Sequence, residues 1–239
     1  MKVAIAFIGT NKYLNFLPQY YQNIEEYFLP NCDKTILAFT DGELDETPDN
    51  LKVFSQEHLS WPFITLKRFE ILNKAREEID KNDWLVFIDA DALVVDRIEE
   101  DEFFTDKPLF GVHHPCHFLK MQPHTQAPGA YEQNPKSTAF VDTSKGLPEI
   151  YWQGCLWGGQ VPEVCVMIDE LEDRVNRDLE NKIVAVWHDE SQINNYYFQN
   201  QEKVHTFGSG FAYPEVFSNQ CNFKPRIVHL AKDNSKYQV

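Results

Sequence analysis

Two aspartates stand two positions apart in the segment Asp89-Ala90-Asp91, directly after the apolar run at residues 84–88. If the chain stays extended through them, the period of two in a strand puts both carboxylates on the same side. Two like charges held that close are costly unless a cation lies between them. The pair therefore predicts a divalent cation with hard oxygen ligands and open positions for a diphosphate. The alternative is an ordinary pair of turn residues after a strand.

A different chemistry also uses an aspartate pair after an apolar strand, namely that of phosphatases of the haloacid-dehalogenase type. Their motif continues with Thr two residues beyond the second Asp and lies close to the N-terminus. Here that position is Leu93, and the pair lies near residue 90. The cation and diphosphate interpretation is therefore favoured.

A second cluster is Trp-His-Asp-Glu-Ser at residues 187–191. Helix capping explains part of it, with Asp189 as the N-cap and Gln192 at the third helical position. That interpretation accounts for Asp189 alone. It leaves an indole, an imidazole and a carboxylate together at a strand-to-helix corner, and such a set suits sugar binding and chemistry at an anomeric carbon.

Residues 151–159 contain three glycines and three aromatic side chains. Glycine permits close backbone approach and aromatic faces pack on sugar rings, so a ligand-lining loop is one interpretation. A tight turn leading into the next helix explains the glycines equally well. The pair His113-His114 is compatible with satisfied core groups or with hydrogen bonds to a hydroxyl, and the eight histidines show no metal-binding pattern.

The elements that must position these residues alternate between β-type runs and helical patterns. Strands are predicted at residues 3–8, 35–39, 51–54, 84–88, 109–112, 139–141 and 183–186, and helices over 16–28, 66–79, 164–179 and 193–197. The continuous apolar run 84–88 predicts a strand buried on both faces in mid-sheet. Residues 121–135 are predicted to form a long, functional loop. Because no repeat, linker or composition break divides the chain, one α/β domain over residues 1–239 is predicted.

Composition excludes several classes of function. The formal charge of −15 would repel the phosphate backbone that a nucleic-acid binder must neutralise, so no nucleic-acid partner is expected. Five cysteines without C-x-x-C spacing favour a reducing compartment. The N-terminal apolar run stops at Gly9, and no run approaches the roughly 20 apolar residues that span a bilayer. A cytoplasmic protein without signal peptide or membrane anchor is therefore expected.

Taken in this order, the motifs resemble glycosyltransferase family 6, which contains the histo-blood-group A and B transferases, the α-1,3-galactosyltransferase and shorter bacterial relatives. The resemblance covers nearly the whole chain and is most specific at residues 187–191. Its other segments are the opening strand with Lys12-Tyr13, Trp61-Pro62, residues 66–69, Asp89-Ala90-Asp91, His114-Pro115, residues 137–140 and the Gly-Gly segment.

The resemblance implies a GT-A fold, with a nucleotide-binding, Rossmann-like mixed sheet flanked by helices. It implies retaining transfer of galactose or N-acetylgalactosamine from UDP to the 3-hydroxyl of an acceptor galactoside, plain or fucosylated. The chain would be a soluble bacterial or phage-type member.

The resemblance also implies roles for individual residues. Glu190 would be the catalytic carboxylate facing the anomeric carbon, while Trp187 and His114 would meet the acceptor. Asp89 and Asp91 would hold a divalent cation, usually Mn²⁺, on the diphosphate. The donor would be bound by Ile8, Thr10 and Tyr13 at the uridine, by Asp189 at the transferred sugar, by Lys232 at the diphosphate, and by Arg68, Asp89, Asp91, Gln153, Gly154 and Cys155.

Some bacterial relatives carry Asn-x-Asn in place of the aspartates and work without metal, whereas this chain keeps Asp, so metal dependence is expected. Cys155 lies where the family uses small residues that set donor choice. This predicts UDP-galactose as donor, unless the Gln153 amide binds an acetamido group. The sequence leaves open whether Glu190 forms a covalent glycosyl intermediate or stabilises an ion pair during same-face attack. It also leaves open a retaining GT-A transferase for another UDP-sugar and a sugar-binding module without turnover.

Overall fold

The structure is a computed structural model that describes residues 1–44, 47–116, 130–146 and 148–233. The strands are β1 (Lys2–Ile8), β2 (Asp33–Thr40), β3 (Leu51–Ser55), β4 (Trp84–Ile88), β5 (Ala92–Val94), β6 (Leu109–His113), β7 (Trp152–Gln160), β8 (Val204–Phe207), β9 (Tyr213–Pro214) and β10 (Ile227–His229). The α-helices are α1 (Leu17–Tyr27), α2 (Phe63–Leu66), α3 (Arg68–Asn73), α4 (Arg76–Ile79), α5 (Glu100–Phe103), α6 (Val161–Glu180) and α7 (His188–Gln199). Short 3₁₀ helices cover Asn11–Phe16, Thr143–Lys145, Gln201–Lys203, Ser209–Ala212 and Glu215–Gln220.

Seven strands form a mixed sheet in the order β3-β2-β1-β4-β7-β6-β8, which confirms the predicted α/β class. β1, β2, β3 and β4 are parallel to their neighbours in this half of the sheet, while β7 is antiparallel to both β4 and β6. Every residue of β4 is buried, as the continuous apolar run predicts. Since β1 and β4 are adjacent and parallel, their carboxyl ends open at one edge of the sheet, where α/β folds bind ligands.

Both faces of this sheet are covered by apolar side chains. On one face, Ile5 and Phe7 pack in a core that includes Leu17 and Tyr20 of α1. On the other face, residues of β1 and β4 pack against the buried stripe of α6, the long amphipathic helix predicted over 164–179. A three-stranded sheet in the order β5-β10-β9 lies beside the main sheet and carries the C-terminal part of the described chain. No helix in the described ranges combines the length and apolar character that crossing a bilayer requires.

The expectation that residues 151–159 form a loop or tight turn is wrong, because strand β7 covers Trp152–Gln160. Two glycines of this strand, Gly158 and Gly159, lie where the neighbouring chain leaves no space for a side chain. A Cβ at Gly158 would lie 2.1 Å from the Leu85 carbonyl oxygen, and one at Gly159 would lie 2.3 Å from the Pro108 carbonyl oxygen. Close strand packing, rather than a turn, explains these two glycines.

The strands predicted at residues 139–141 and 183–186 are absent from the described structure. Side chains bind the polar groups beside both segments. The Asp178 carboxylate accepts from the Ser137 hydroxyl at 2.6 Å and from the Thr138 amide at 2.8 Å, and Glu132 accepts from the Val186 amide at 2.8 Å. Side chains distant in sequence take up these hydrogen bonds, and Phe140 makes one isolated bridge with Glu132, so neither segment is a strand in the described structure.

The helix predicted over 66–79 is divided into α2, α3 and α4, and the helix over 16–28 begins as the 3₁₀ helix Asn11–Phe16 before α1. The helix predicted over 193–197 is confirmed, because these residues lie within α7, which follows the segment 183–186. Of the long loop predicted at 121–135, residues 121–129 lie outside the described residues.

The close approach at Gly158 gives the first testable prediction. Gly158→Ala forces backbone to move between β4 and β7, so the free energy of unfolding should fall by about 1–3 kcal/mol. Gly208→Ala is the matched control, because a Cβ there meets no atom within 4 Å, and its effect should stay within about 0.5 kcal/mol. Urea unfolding followed by circular dichroism measures both. Equal stability of the two variants would contradict the packing argument.

Candidate active site

Two adjoining cavities open at the carboxyl edge of β1 and β4. The larger, of about 320 Å³, is lined by Ile8, Thr10, Tyr13, Asp91 and Lys232, among others. The smaller, of about 240 Å³, is lined by Gln153, Gly154, Cys155, Trp187, Asp189 and Glu190, among others. Trp61, Thr65, Arg68 and Asp89 line both. The two cavities thus bring together every site residue predicted from sequence except His114.

Asp89 and Asp91 lie in the turn between β4 and β5. The Asp89 amide donates to the Cys155 carbonyl at 3.0 Å, which continues the β4–β7 pairing by one residue. Burial raises the pKa of Asp89, and the positive charge of Arg68 opposes this shift. Asp91 is only 7% exposed. The Asp89 side chain is 32% exposed, so the two carboxylates lie close together with one of them largely shielded from water and the other partly exposed.

His229 joins this pair, although sequence reasoning did not single it out. One ring nitrogen of His229 and one carboxylate oxygen from each of Asp89 and Asp91 lie within 4.8 Å of one another. β10 is antiparallel to β5, and the pairing of His229 with Ala92 brings the imidazole next to the aspartates. A single histidine separated from the aspartates by more than a hundred residues carries no spacing signal, so only the fold reveals it. These three donors could hold a divalent cation.

Lys232 also reaches the aspartates from the C-terminal segment. Its ammonium forms an ion pair with Asp91, and its Nζ lies 4.9 Å from the centre of the Tyr13 ring. Burial alone would lower the pKa of Lys232, but the charge and hydrogen bond of Asp91 outweigh it, so the pKa is raised. Lys232 thus stays cationic at the rim of the larger cavity.

Arg68, at the start of α3, connects the two cavities. Its guanidinium lies 3.6 Å from Asp89 Oδ1 and 3.0 Å from Asp189 Oδ2, and it donates to the Gly154 carbonyl at 2.6 Å. The guanidinium stacks over Phe87 with 4.3 Å between Cζ and the ring centre. One buried cation therefore contacts a carboxylate that directly follows β4 and another at the start of α7.

The segment 187–191 makes a sharp corner at the start of α7. His188 has a φ of +54°, in the left-handed region that non-glycine residues rarely adopt. Its ring packs edge-on against Trp61 with 4.8 Å between centroids. The expected N-cap role of Asp189 is wrong: Trp187 is the N-cap residue, and Asp189 lies inside the first helical turn. Such strain occurs at functional sites, where it aims side chains into a cavity.

Both carboxylate oxygens of Glu190 accept hydrogen bonds. The Tyr151 hydroxyl donates to Oε1 at 2.9 Å, and the Gly154 amide donates to Oε2 at 2.8 Å. Burial raises the pKa of Glu190 to about 7, against these two donors. Burial likewise raises the pKa of Asp189 to about 6, against the Arg68 charge. Glu190 is thus held in one orientation and titrates near neutral pH.

The remaining predicted residues occupy distinct positions. The Cys155 side chain is 3% exposed and packs in the core beside α1, although the residue lines the smaller cavity. Gln153 Oε1 is buried and has no hydrogen-bond partner among the described residues. The Thr10 hydroxyl contacts His58 Nδ1 at 2.9 Å. His114 stands outside the cavities, with its ring centroid 5.7 Å from that of Tyr151.

The chain is similar to known proteins along most of its length. The family model described as Glycosyltransferase family 6 matches residues 1–206. The O-antigen biosynthesis glycosyltransferase WbnI of Escherichia coli is 28% identical over 239 residues, which cover 99% of this chain and 97% of that protein. The histo-blood group ABO system transferase 2 of Rattus norvegicus is 26% identical over 203 residues, covering 81% of this chain and 58% of that protein. The globoside alpha-1,3-N-acetylgalactosaminyltransferase 1 of Homo sapiens is 27% identical over 213 residues, covering 84% of this chain and 58% of that protein.

The hydrogen bond from Tyr151 gives a prediction about protonation. A donor to the carboxylate stabilises its charged form, so Tyr151→Phe should raise the pKa of Glu190 above about 7. Tyr131→Phe is the control, because the buried Tyr131 hydroxyl has no hydrogen-bond partner among the described residues. Carbon-13 NMR titration of the glutamate side chains measures both. An unchanged or lowered pKa in Tyr151→Phe would contradict the role of this hydrogen bond.

Proposed function

The chain belongs to glycosyltransferase family 6, and from this premise we propose that it transfers galactose or N-acetylgalactosamine from a UDP-sugar to the 3-hydroxyl of an acceptor galactoside, with retention at the anomeric carbon. The mixed sheet flanked by helices is that of a GT-A fold, the fold type of this family. The observation that carries the proposal is the pair of joined cavities, with an aspartate pair in one and a hydrogen-bonded glutamate in the other.

The shape of the site supports a division of the donor between the cavities. The larger cavity is lined by Ile8 and Tyr13, an apolar and aromatic surface that suits a uracil ring, and also by Lys232 and the aspartates, which suit a diphosphate and its cation. The smaller cavity is rich in carboxylates and amides, which suit the hydroxyls of a sugar. In this arrangement the diphosphate lies near Arg68 and Asp89, where the cavities meet.

Charge determines how the leaving group is stabilised. Four acidic side chains, Asp89, Asp91, Asp189 and Glu190, face two cationic ones, Arg68 and Lys232. A diphosphate would add further negative charge. When bound at the aspartates, a divalent cation would neutralise the charge that develops on the departing diphosphate. Arg68 and Lys232 stabilise the same negative charge on the diphosphate. Because both groups are already in place, little reorganisation is needed when the bond between the sugar and UDP breaks.

Glu190 acts on the opposite charge. As UDP departs, the anomeric carbon becomes electron-poor, and a carboxylate beside it stabilises that carbon or bonds to it. The hydrogen bonds from Tyr151 and Gly154 orient the Glu190 carboxylate for this task. Asp189, held by Arg68, would bind hydroxyls of the transferred sugar.

The acceptor side is formed by Trp187, with His114 beyond Tyr151. Plain and fucosylated galactosides are the proposed acceptors, as the family resemblance implies, and the relatives include a histo-blood group transferase and a globoside transferase. Incubation with UDP-Gal or UDP-GalNAc, Mn²⁺ and each acceptor class, followed by mass spectrometry, tests the proposal. Turnover with another UDP-sugar alone would favour a different transferase, and binding without turnover would favour a sugar-binding module.

Metal dependence is the third testable prediction. Chelation should suppress turnover and Mn²⁺ should restore it. Asp91→Asn, which removes one charge at nearly constant size, should weaken UDP-sugar binding in calorimetry. Asp96→Asn is the control, since Asp96 pairs with Lys224 and Arg226 away from both cavities. Full turnover in excess chelator would instead favour the Lys232 ammonium, already paired with Asp91, as the cation of the site.

The fourth prediction concerns Glu190. Glu190→Gln keeps the shape and an oxygen that accepts from the Gly154 amide but removes the negative charge. Turnover should therefore fall by orders of magnitude, while the melting temperature changes little. Glu180→Gln, at the exposed end of α6, is the control and should retain turnover. A collapse of stability in Glu190→Gln would assign the residue a structural role.

A further inference from the structure

We infer that His229 is the third protein ligand of the divalent cation at Asp89 and Asp91, and that its imidazole makes the site prefer Mn²⁺ and later transition metals over Mg²⁺. This inference rests on the proposed function, because it deepens the metal dependence proposed there. It assigns a role to a residue outside residues 1–206, the part of the chain that the family model matches.

The position of His229 is fixed by backbone pairing rather than by a flexible side chain. β10 and β5 are antiparallel, and His229 pairs with Ala92, the residue after Asp91. The Leu230 amide donates to the Asp91 carbonyl at 3.0 Å, which extends this pairing. The backbone segments that carry Asp91 and His229 are therefore hydrogen-bonded side by side, so the separation of the two residues is preset before any ion binds.

The donor separation fits one ion. A transition-metal ion with ligands at about 2.0–2.2 Å places any two donors at most about 4.4 Å apart. The three donor atoms lie within 4.8 Å of one another, so small side-chain rotations complete the set. Three protein ligands leave further coordination positions open for oxygens of a diphosphate.

The surroundings of His229 provide no competing explanation within the described residues. Its Nε2 is buried, yet no hydrogen-bond donor or acceptor there contacts it. Buried imidazole nitrogens are normally hydrogen-bonded or bound to metal. A cation ligated by the ring would supply the partner that this nitrogen lacks.

The chemistry of the third ligand determines metal choice. A site made only of carboxylates suits Mg²⁺, Ca²⁺ and Mn²⁺ alike, whereas a neutral imidazole favours ions later in the first transition row. Imidazole adds a donor without adding charge, so two carboxylates and one divalent ion remain balanced. An ion at Asp91 would replace the Lys232 ammonium that now pairs with this carboxylate, and the released ammonium would then be available for the diphosphate.

Electron-spin resonance on the full chain with Mn²⁺ and UDP tests this without relying on turnover. Pulsed spectra should show coupling of the ion to an imidazole nitrogen. The coupling should vanish in His229→Gln and persist in His205→Gln, a matched control on β8 outside the cavities. Mutation of residues that only hydrogen-bond to a metal ligand already weakens metal binding about 10–100-fold. Loss of the His229 ligand itself should therefore weaken Mn²⁺ binding by about 100-fold, and Mg²⁺ binding far less.

The outcomes separate the two proposals. Tight Mn²⁺ binding that requires Asp91 but shows no nitrogen coupling in the parent protein would overturn the His229 assignment and leave the proposed function intact. Mn²⁺ binding that is equally weak in the parent and in Asp91→Asn would overturn the metal site altogether. The spectrum of the parent protein decides the matter even if His229→Gln fails to fold.

Discussion

The site depends on one buried guanidinium. Arg68 contacts Asp89 at the end of β4, Asp189 at the start of α7 and the Gly154 carbonyl on β7. A buried charge pair is costly unless each partner is well bound, and removal of Arg68 would leave two carboxylates facing each other without compensation. Its stacking on the Phe87 ring sets the plane of the guanidinium group. Three elements far apart in sequence are thus held at fixed distances by one side chain, and both cavities form around it.

The same burial that shapes the site opposes folding. Burial raises the pKa of Asp189 from 3.8 to about 6 and that of Glu190 from 4.5 to about 7. Because the folded chain then binds more protons than the unfolded chain between these values, both groups lower the free energy of unfolding as pH rises through that range. The cores on either face of the sheet must offset this cost. A bound cation would relieve part of this cost by adding positive charge, and the hydroxyls of a bound sugar would relieve part of it by adding hydrogen bonds.

The parts of the site that follow from sequence are those with local signatures. Asp89 and Asp91 end a buried strand, and residues 187–191 begin a helix, so spacing alone indicates their chemistry. The glycines of residues 151–159 are compatible with a loop as well as a strand, and the neighbouring Leu85 carbonyl, which excludes a side chain at Gly158, is visible only in the fold. Residues 139–141 and 183–186 have strand-like composition, but Asp178 and Glu132 bind nearby backbone groups that a sheet would otherwise need. Such long-range side-chain contacts leave no periodic pattern.

The C-terminal segment also contributes to the site through contacts that no sequence pattern reveals. His229 and Lys232 reach Asp89 and Asp91 only because β10 pairs with β5, the strand that directly follows the aspartates. The strand that follows the aspartates is therefore also the strand that holds His229, the proposed third ligand, and the segment of Lys232 beside them. A change in the β5–β10 register by one residue would turn the His229 side chain to the opposite face and empty the third position, since side chains alternate along a strand. The proposed metal site therefore depends as much on that register as on the aspartates themselves.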